Sequence, residues 1–122
     1  MEKLKIWKIA LLVDDFEAAE DFYVKVLGMR VISRSPSGAA FLDAGNVNLE
    51  IIPRRVFEGQ GRLDNVGVHH LSFKVADIEK TADELKAKGA RFIKEPYEPR
   101  QGLTLAFFDG LNNVNLQLFK QE

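Results

Sequence analysis

Apolar and polar residues alternate along this chain in a rhythm that changes in the same way twice. Ile6 to Val13 is an apolar run of strand length, with Ile9, Leu11 and Val13 on one face and Lys8, Ala10 and Leu12 on the other. The period then lengthens, and Phe16, Ala19, Phe22, Tyr23 and Val26 recur at helical spacing. Asp14-Asp15 can cap this helix, Glu17 sits in the first turn where the dipole favours negative charge, and Gly28 falls where a left-handed cap belongs. Three short strands follow, Arg30 to Arg34, Ala39 to Asp43 and Val47 to Ile52, broken by Ser35-Pro36-Ser37-Gly38 and Ala44-Gly45-Asn46.

The second half repeats the plan. Val68 to Val75 reads as a strand, and Asp77 caps a helix through Ile78, Thr81, Leu85 and Lys88 that Gly89 ends. Arg91 to Lys94, Leu103 to Phe108 and Val114 to Phe119 close the unit, with Glu95 to Gly102, which holds Pro96 and Pro99, expected as a long loop. The likeness extends to residues: Asn46-Val47-Asn48-Leu49-Glu50-Ile51-Ile52 returns as Asn113-Val114-Asn115-Leu116-Gln117-Leu118-Phe119. Lys8 and His70 then occupy equivalent places, as do Glu50 and Gln117. The pattern predicts an α+β fold of two βαβββ repeats within a single domain, residues 1–122. Repeat 1 covers about residues 4–53, a polar linker with Gly59 and Gly61 covers 54–66, and repeat 2 covers about 67–120.

Each strand thus has a uniformly apolar face, suited to packing under a helix, and a mixed face. His70, Ser72 and Lys74 oppose Leu71, Phe73 and Val75, while Asn115, Gln117 and Phe119 oppose Val114, Leu116 and Leu118. Mixed faces are ordinary on sheets with one solvated side. If the sheets curve, the same faces line one concave surface, and Lys8, Glu50, His70 and Gln117 are then the polar groups within it. His69, on the opposite phase, is expected to be structural or exposed.

Composition narrows the functional classes. With 122 residues, 46% apolar and 29% charged, the chain can bury a core without staples. A net charge of −1 provides no field to recruit nucleic acid or an anionic membrane. The absence of cysteine removes disulfides, thiolate nucleophiles and cysteine metal sites. No apolar run has the length of a signal h-region or a membrane span, so a cytoplasmic location is expected.

The ordered combination of Ile9-Ala10-Leu11-Leu12-Val13-Asp14-Asp15-Phe16-Glu17-Ala18-Ala19, Phe22-Tyr23, Leu27-Gly28, Val68-His69-His70-Leu71-Ser72-Phe73-Lys74-Val75, Asp77-Ile78-Glu79 and Gly89-Ala90 resembles the vicinal oxygen chelate superfamily. This group includes glyoxalase I, methylmalonyl-CoA epimerase, extradiol dioxygenases and bleomycin-binding proteins. The resemblance covers essentially the whole chain and implies two βαβββ repeats forming a curved mixed sheet around a concave cavity. It also implies a divalent metal (Ni, Zn, Mn or Fe) held by one residue from the first and last strand of each repeat. Matched strand for strand, those positions are Lys8, Glu50, His70 and Gln117. Glu50, His70 and Gln117 supply suitable ligand atoms, but Lys8 departs from the pattern because a protonated ammonium has no lone pair.

Three readings of the site follow. In a glyoxalase-like, lactoylglutathione lyase-type metalloprotein, Glu50, His70 and Gln117 hold the metal, and Glu50 moves a proton on a small carbonyl-containing or oxygen-chelating substrate. In a metal-free binding protein of the bleomycin-resistance type, Lys8 replaces the metal's charge and pairs with Glu50. In the third, Lys8 is a catalytic base. Arg54 and Arg100, on the expected loops, and Ser72 and Phe119, on the mixed faces, are the candidate substrate-binding residues. The expected partners are a small-molecule ligand and a second copy of the chain as a homodimer, with no nucleic acid or membrane.

Overall fold

The computed structural model describes residues 1–122. They form two compact units: Lys8–His69, and Met1–Trp7 together with His70–Glu122.

Strand β1 (Ile6–Val13), which belongs to the first unit from Lys8 onward, leads into helix α1 (Phe16–Asp21) and strands β2 (Arg30–Arg34), β3 (Ala40–Asp43) and β4 (Asn48–Pro53). The sheet order is β2-β3-β4-β1, with β1 and β4 parallel and Ala10 opposite Glu50. Asp15 caps α1 by accepting from the Ala18 amide. The helix then widens into a π-helical turn, Phe22–Val26, instead of continuing as regular α-helix. Gly28, at φ +77°, closes it in the left-handed region that the sequence reserves for glycine. Ile9, Leu11 and Val13 pack with Phe16, Ala19, Tyr23 and Val24 over Leu42, Leu49 and Ile51, as the strand phase predicts.

The second unit repeats this order. Strand β5 (Gly67–Lys74) leads into helix α2 (Ile78–Ala87) and strands β6 (Phe92–Arg100), β7 (Leu103–Asp109) and β8 (Asn115–Gln121). The sheet order is β6-β7-β8-β5, with β5 and β8 parallel and Ser72 opposite Gln117. Asp77 caps α2 through the Lys80 amide, and Gly89 at φ +99° ends it while Ala90 N–H returns to Leu85 O. Ile78, Ala82 and Leu85 bury their side chains against Val75, Ala106, Phe108 and Leu118. Each such large side chain is worth roughly 1.5–3 kcal/mol when fully buried. Neither helix is long and apolar enough to cross a membrane.

Two expectations need correction. Glu95 to Gly102 is not a long loop, because β6 runs through Pro96 and Pro99 to Arg100. It is the outermost strand of its sheet, so a missing proline N–H need not break the ladder. Register shifts after Phe92, Lys94 and Tyr97 absorb the misfit. The linker 54–66 is also more than a polar connector. It makes two short 3-10 turns, Arg54–Val56 and Gly61–Leu63, and buries Phe57 and Leu63.

The turn from β7 to β8 stores strain. Leu111, Asn112 and Asn113 all have positive φ, at 69°, 53° and 64°. Asparagine tolerates that region, but leucine pays for it through its Cβ. Leu111 is exposed and has little packing to lose. Leu111→Gly is therefore expected to raise stability by about 1 kcal/mol, read from the urea midpoint, whereas Leu111→Val lowers it.

Candidate functional site

Most residues of the mixed faces predicted from the strand phase are buried, although Lys74 is exposed. Lys8, Glu50, His70 and Gln117 are only 3%, 7%, 2% and 2% exposed. Burying polar groups in apolar strands is costly unless each finds a partner, so the partners define what the site can do.

In the first unit the partner of Glu50 is Lys8. The Lys8 Nζ donates to Glu50 Oε1 at 2.6 Å, and Nζ also lies 5.3 Å from the centroid of the Phe41 ring. Parallel pairing of β1 with β4 brings the two strands side by side, so residues 42 apart in sequence become neighbours. His69, also buried, packs its ring 4.3 Å from that of Phe57, and its Nε2 donates to Leu63 O at 2.6 Å. Burial holds its imidazole below the ordinary value of 6.5. The Leu63 hydrogen bond and the charge of Glu50 act the other way, and Lys8 adds to the lowering. Of the structural or exposed places that its strand phase allows, His69 takes the buried one.

In the second unit, Ser72 Oγ donates to Gln117 Oε1 at 2.6 Å and accepts from Trp7 Nε1 at 3.0 Å. The Trp7 ring also meets Phe119, with centroids 4.8 Å apart and planes at 55°, and Lys74 Nζ lies 4.5 Å from the Trp7 ring centroid. His70 sits edge-on to Phe107, centroids 5.4 Å apart at 83°. Trp7 escaped the sequence reading. Its one signal was an indole, which is a donor only, in an apolar strand next to Lys8.

The two candidate arginines and two further aromatic side chains have contacts of their own. Arg54 lines a separate recess of about 520 Å³ with Asp14, Phe16, Pro53, Arg55, Glu58 and Asp64. There it donates to Asp64 at 2.9 Å and Asp14 at 3.1 Å. The Gly59 amide and Arg54 together hold the Asp64 carboxyl below its ordinary range. Arg100 stands at the end of β6 opposite Leu103, half-buried. Phe108 stacks on Phe92 in the helix-side core. Tyr97 packs with Leu103, Leu105 and Phe119, and burial pushes its hydroxyl up to about 12.

A profile of the Glyoxalase/Bleomycin resistance protein/Dioxygenase superfamily matches residues 5–117. The chain belongs to this superfamily. It is 31% identical over 123 residues to YwkD of Bacillus subtilis, covering 95% of this chain and 96% of that protein. A Synechocystis protein named as a probable lactoylglutathione lyase is 27% identical over 116 residues, covering 88% of each chain. Methylmalonyl-CoA epimerase from Mycobacterium tuberculosis superposes with a TM-score of 0.72 at 16% identity, covering 96% of this chain and 87% of that one. At that identity the superposition speaks for the fold alone.

Superfamily membership invites a metal at Lys8, Glu50, His70 and Gln117, but the donor atoms present do not fit one. A protonated ammonium cannot ligate and repels a cation, and at 2.6 Å it occupies Oε1 of Glu50. The carboxamide oxygen of Gln117 already accepts from Ser72. No three His, Cys, Asp or Glu side chains gather where they could hold an ion.

Removing one partner of the buried pair leaves the other charge uncompensated. Lys8→Met is expected to cost about 3–5 kcal/mol, and adding Glu50→Leu to recover most of it, measured by urea denaturation of both variants. His69 sets a second expectation. Its folded-state pKa is lowered, so the fold holds the neutral ring, and stability falls as pH drops through 6.5 toward the lowered value. Unfolding midpoints measured between about pH 7.5 and 5.5 should decline in the wild type and stay flatter in His69→Gln.

Proposed function

We propose that this superfamily member binds a small molecule bearing oxygen acceptors without a resident metal, with Lys8 supplying the positive charge. The observation that carries this reading is the buried Lys8–Glu50 contact at 2.6 Å. An ammonium in a dry site is a strong point charge with three donors, and it attracts a carboxylate, an enolate or a polarised carbonyl oxygen. Glu50, 2.6 Å away, holds that ammonium in place and limits its reach. Such a site recognises its ligand by charge and hydrogen bonding, and need not break a bond. Phe41, whose ring centroid lies 5.3 Å from the Lys8 ammonium, supplies apolar wall. A homodimer, usual for members of this size, accompanies the proposal.

The relatives named as probable lactoylglutathione lyases, from Synechocystis and Arabidopsis thaliana, favour a second reading. In it the chain is a glyoxalase-type enzyme, Glu50, His70 and Gln117 are ligands for a divalent ion, and Glu50 moves the proton. That reading requires Lys8 to lose its proton or leave Glu50.

Elemental analysis and calorimetric titration with Ni²⁺ and Zn²⁺ separate the two. The wild type is expected to purify without stoichiometric metal and to show no micromolar binding, whereas Lys8→His gains it. One tightly bound ion per wild-type chain, with turnover of the methylglyoxal–glutathione hemithioacetal, would establish the second reading instead.

A further inference from the structure

The direction of the Trp7–Ser72–Gln117 hydrogen bonds is fixed by the chemistry of its first member. An indole N–H donates and cannot accept, so at 3.0 Å Ser72 Oγ must be the acceptor. The serine has one hydrogen left to give. Its 2.6 Å contact with the Gln117 side chain is the length of an O–H···O bond and shorter than N–H···O bonds ordinarily run. The atom of Gln117 facing Ser72 is therefore the carboxamide oxygen, and the amide nitrogen is turned away from it. In a half-buried amide either orientation can persist, but here the indole selects one.

The surroundings make that selection durable. Ser72 is fully buried, and β-ladder pairing seats it directly opposite Gln117, itself 2% exposed. Trp7 is held against Phe119 on the neighbouring position of β8 and carries the Lys74 ammonium on its ring, 4.5 Å from the centroid. Neither hydroxyl nor amide can rotate without leaving a buried polar atom unsatisfied, at about 1–3 kcal/mol. Two residues before Ser72, on the same face of β5, lies His70.

We infer that Trp7 and Ser72 are positioning residues that lock Gln117 as a hydrogen-bond donor, so that the ligand group it meets is an oxygen acceptor such as a carboxylate or carbonyl. This rests on the metal-free binding reading and deepens it. Gln117 then discriminates by donating its Nε2 hydrogens, while its oxygen accepts from Ser72. Ser72, with its one hydrogen given to Gln117, shapes the site without offering that hydrogen to the ligand.

Nuclear magnetic resonance of ¹⁵N-labelled protein tests the idea in two stages. In the free protein the Gln117 side-chain amide protons are expected to show no close contact with the Ser72 β-protons. A strong cross-relaxation peak between them would overturn the orientation. Pyruvate, whose carboxylate and carbonyl present only acceptors, is then titrated. The Gln117 amide peaks are expected to shift with it, while guanidinium, which has only donors, leaves them in place. Ser72→Ala should weaken pyruvate binding about 3–10-fold with the fold intact, as the loss of one hydrogen bond predicts. Gln117→Glu, which offers oxygens alone, should weaken it more. Undiminished binding by Gln117→Glu, or pyruvate shifts that spare the Gln117 amide, would overturn the donor role. No pyruvate-induced shift anywhere, with the orientation confirmed in the free protein, would sink the small-molecule reading and the ligand assignment with it.

Discussion

Two opposite charges taken out of water and set against each other govern this molecule. Desolvating an ammonium and a carboxylate costs several kcal/mol per ion, and only close, well-oriented pairing offsets it. The 2.6 Å Lys8–Glu50 contact meets that condition, and strand pairing fixes it because β1 and β4 lie parallel in one sheet. A pair of well-packed apolar side chains would serve stability as well or better. What the ion pair adds is a charge that apolar residues cannot present. It also fixes the electrostatic surroundings of His69, where the two charges act in opposite directions on one imidazole.

The two repeats solve the same burial problem with different chemistry. Ala10 lies opposite Glu50 in one unit and Ser72 opposite Gln117 in the other, and the two ladders are otherwise equivalent. Where alanine gives the carboxylate no donor, Lys8 supplies one as a cation. Where serine is present, a neutral amide takes the place of the carboxylate and the hydroxyl satisfies it. Each change makes sense only with the other on the same strand pair. The repeat is thus a frame whose polar positions differ as matched sets: one unit charged and tightly paired, the other neutral and directional.

Much of the fold was legible because its signals are local. Asp15, Asp77, Gly28 and Gly89 mark helix ends by capping chemistry alone, and the period-two runs found the strands to within a residue or two. The Lys8–Glu50 pairing was legible too, since an unpaired buried carboxylate demands a cation and the repeat put one nearby. β6 was misread because proline argues for a loop unless the strand is outermost, and that is a property of the finished sheet. Phe57 and Leu63 were hidden in a polar segment whose composition averages out two buried side chains. The role of Trp7 was out of reach, since it depends on a serine 65 residues away.

The prolines of β6 have an effect beyond local geometry. An outermost strand offers its unpaired N–H and C=O groups as a template on which another chain can add. Pro96 and Pro99 withhold donors from that row, and the three register shifts keep it from lying flat. The outermost strand of the other sheet, β2, has no proline and is guarded by Arg30 and Arg34 instead. β6 is thus protected by shape and β2 by charge. High salt screens only the second, so accretion of strands in concentrated electrolyte would begin at β2.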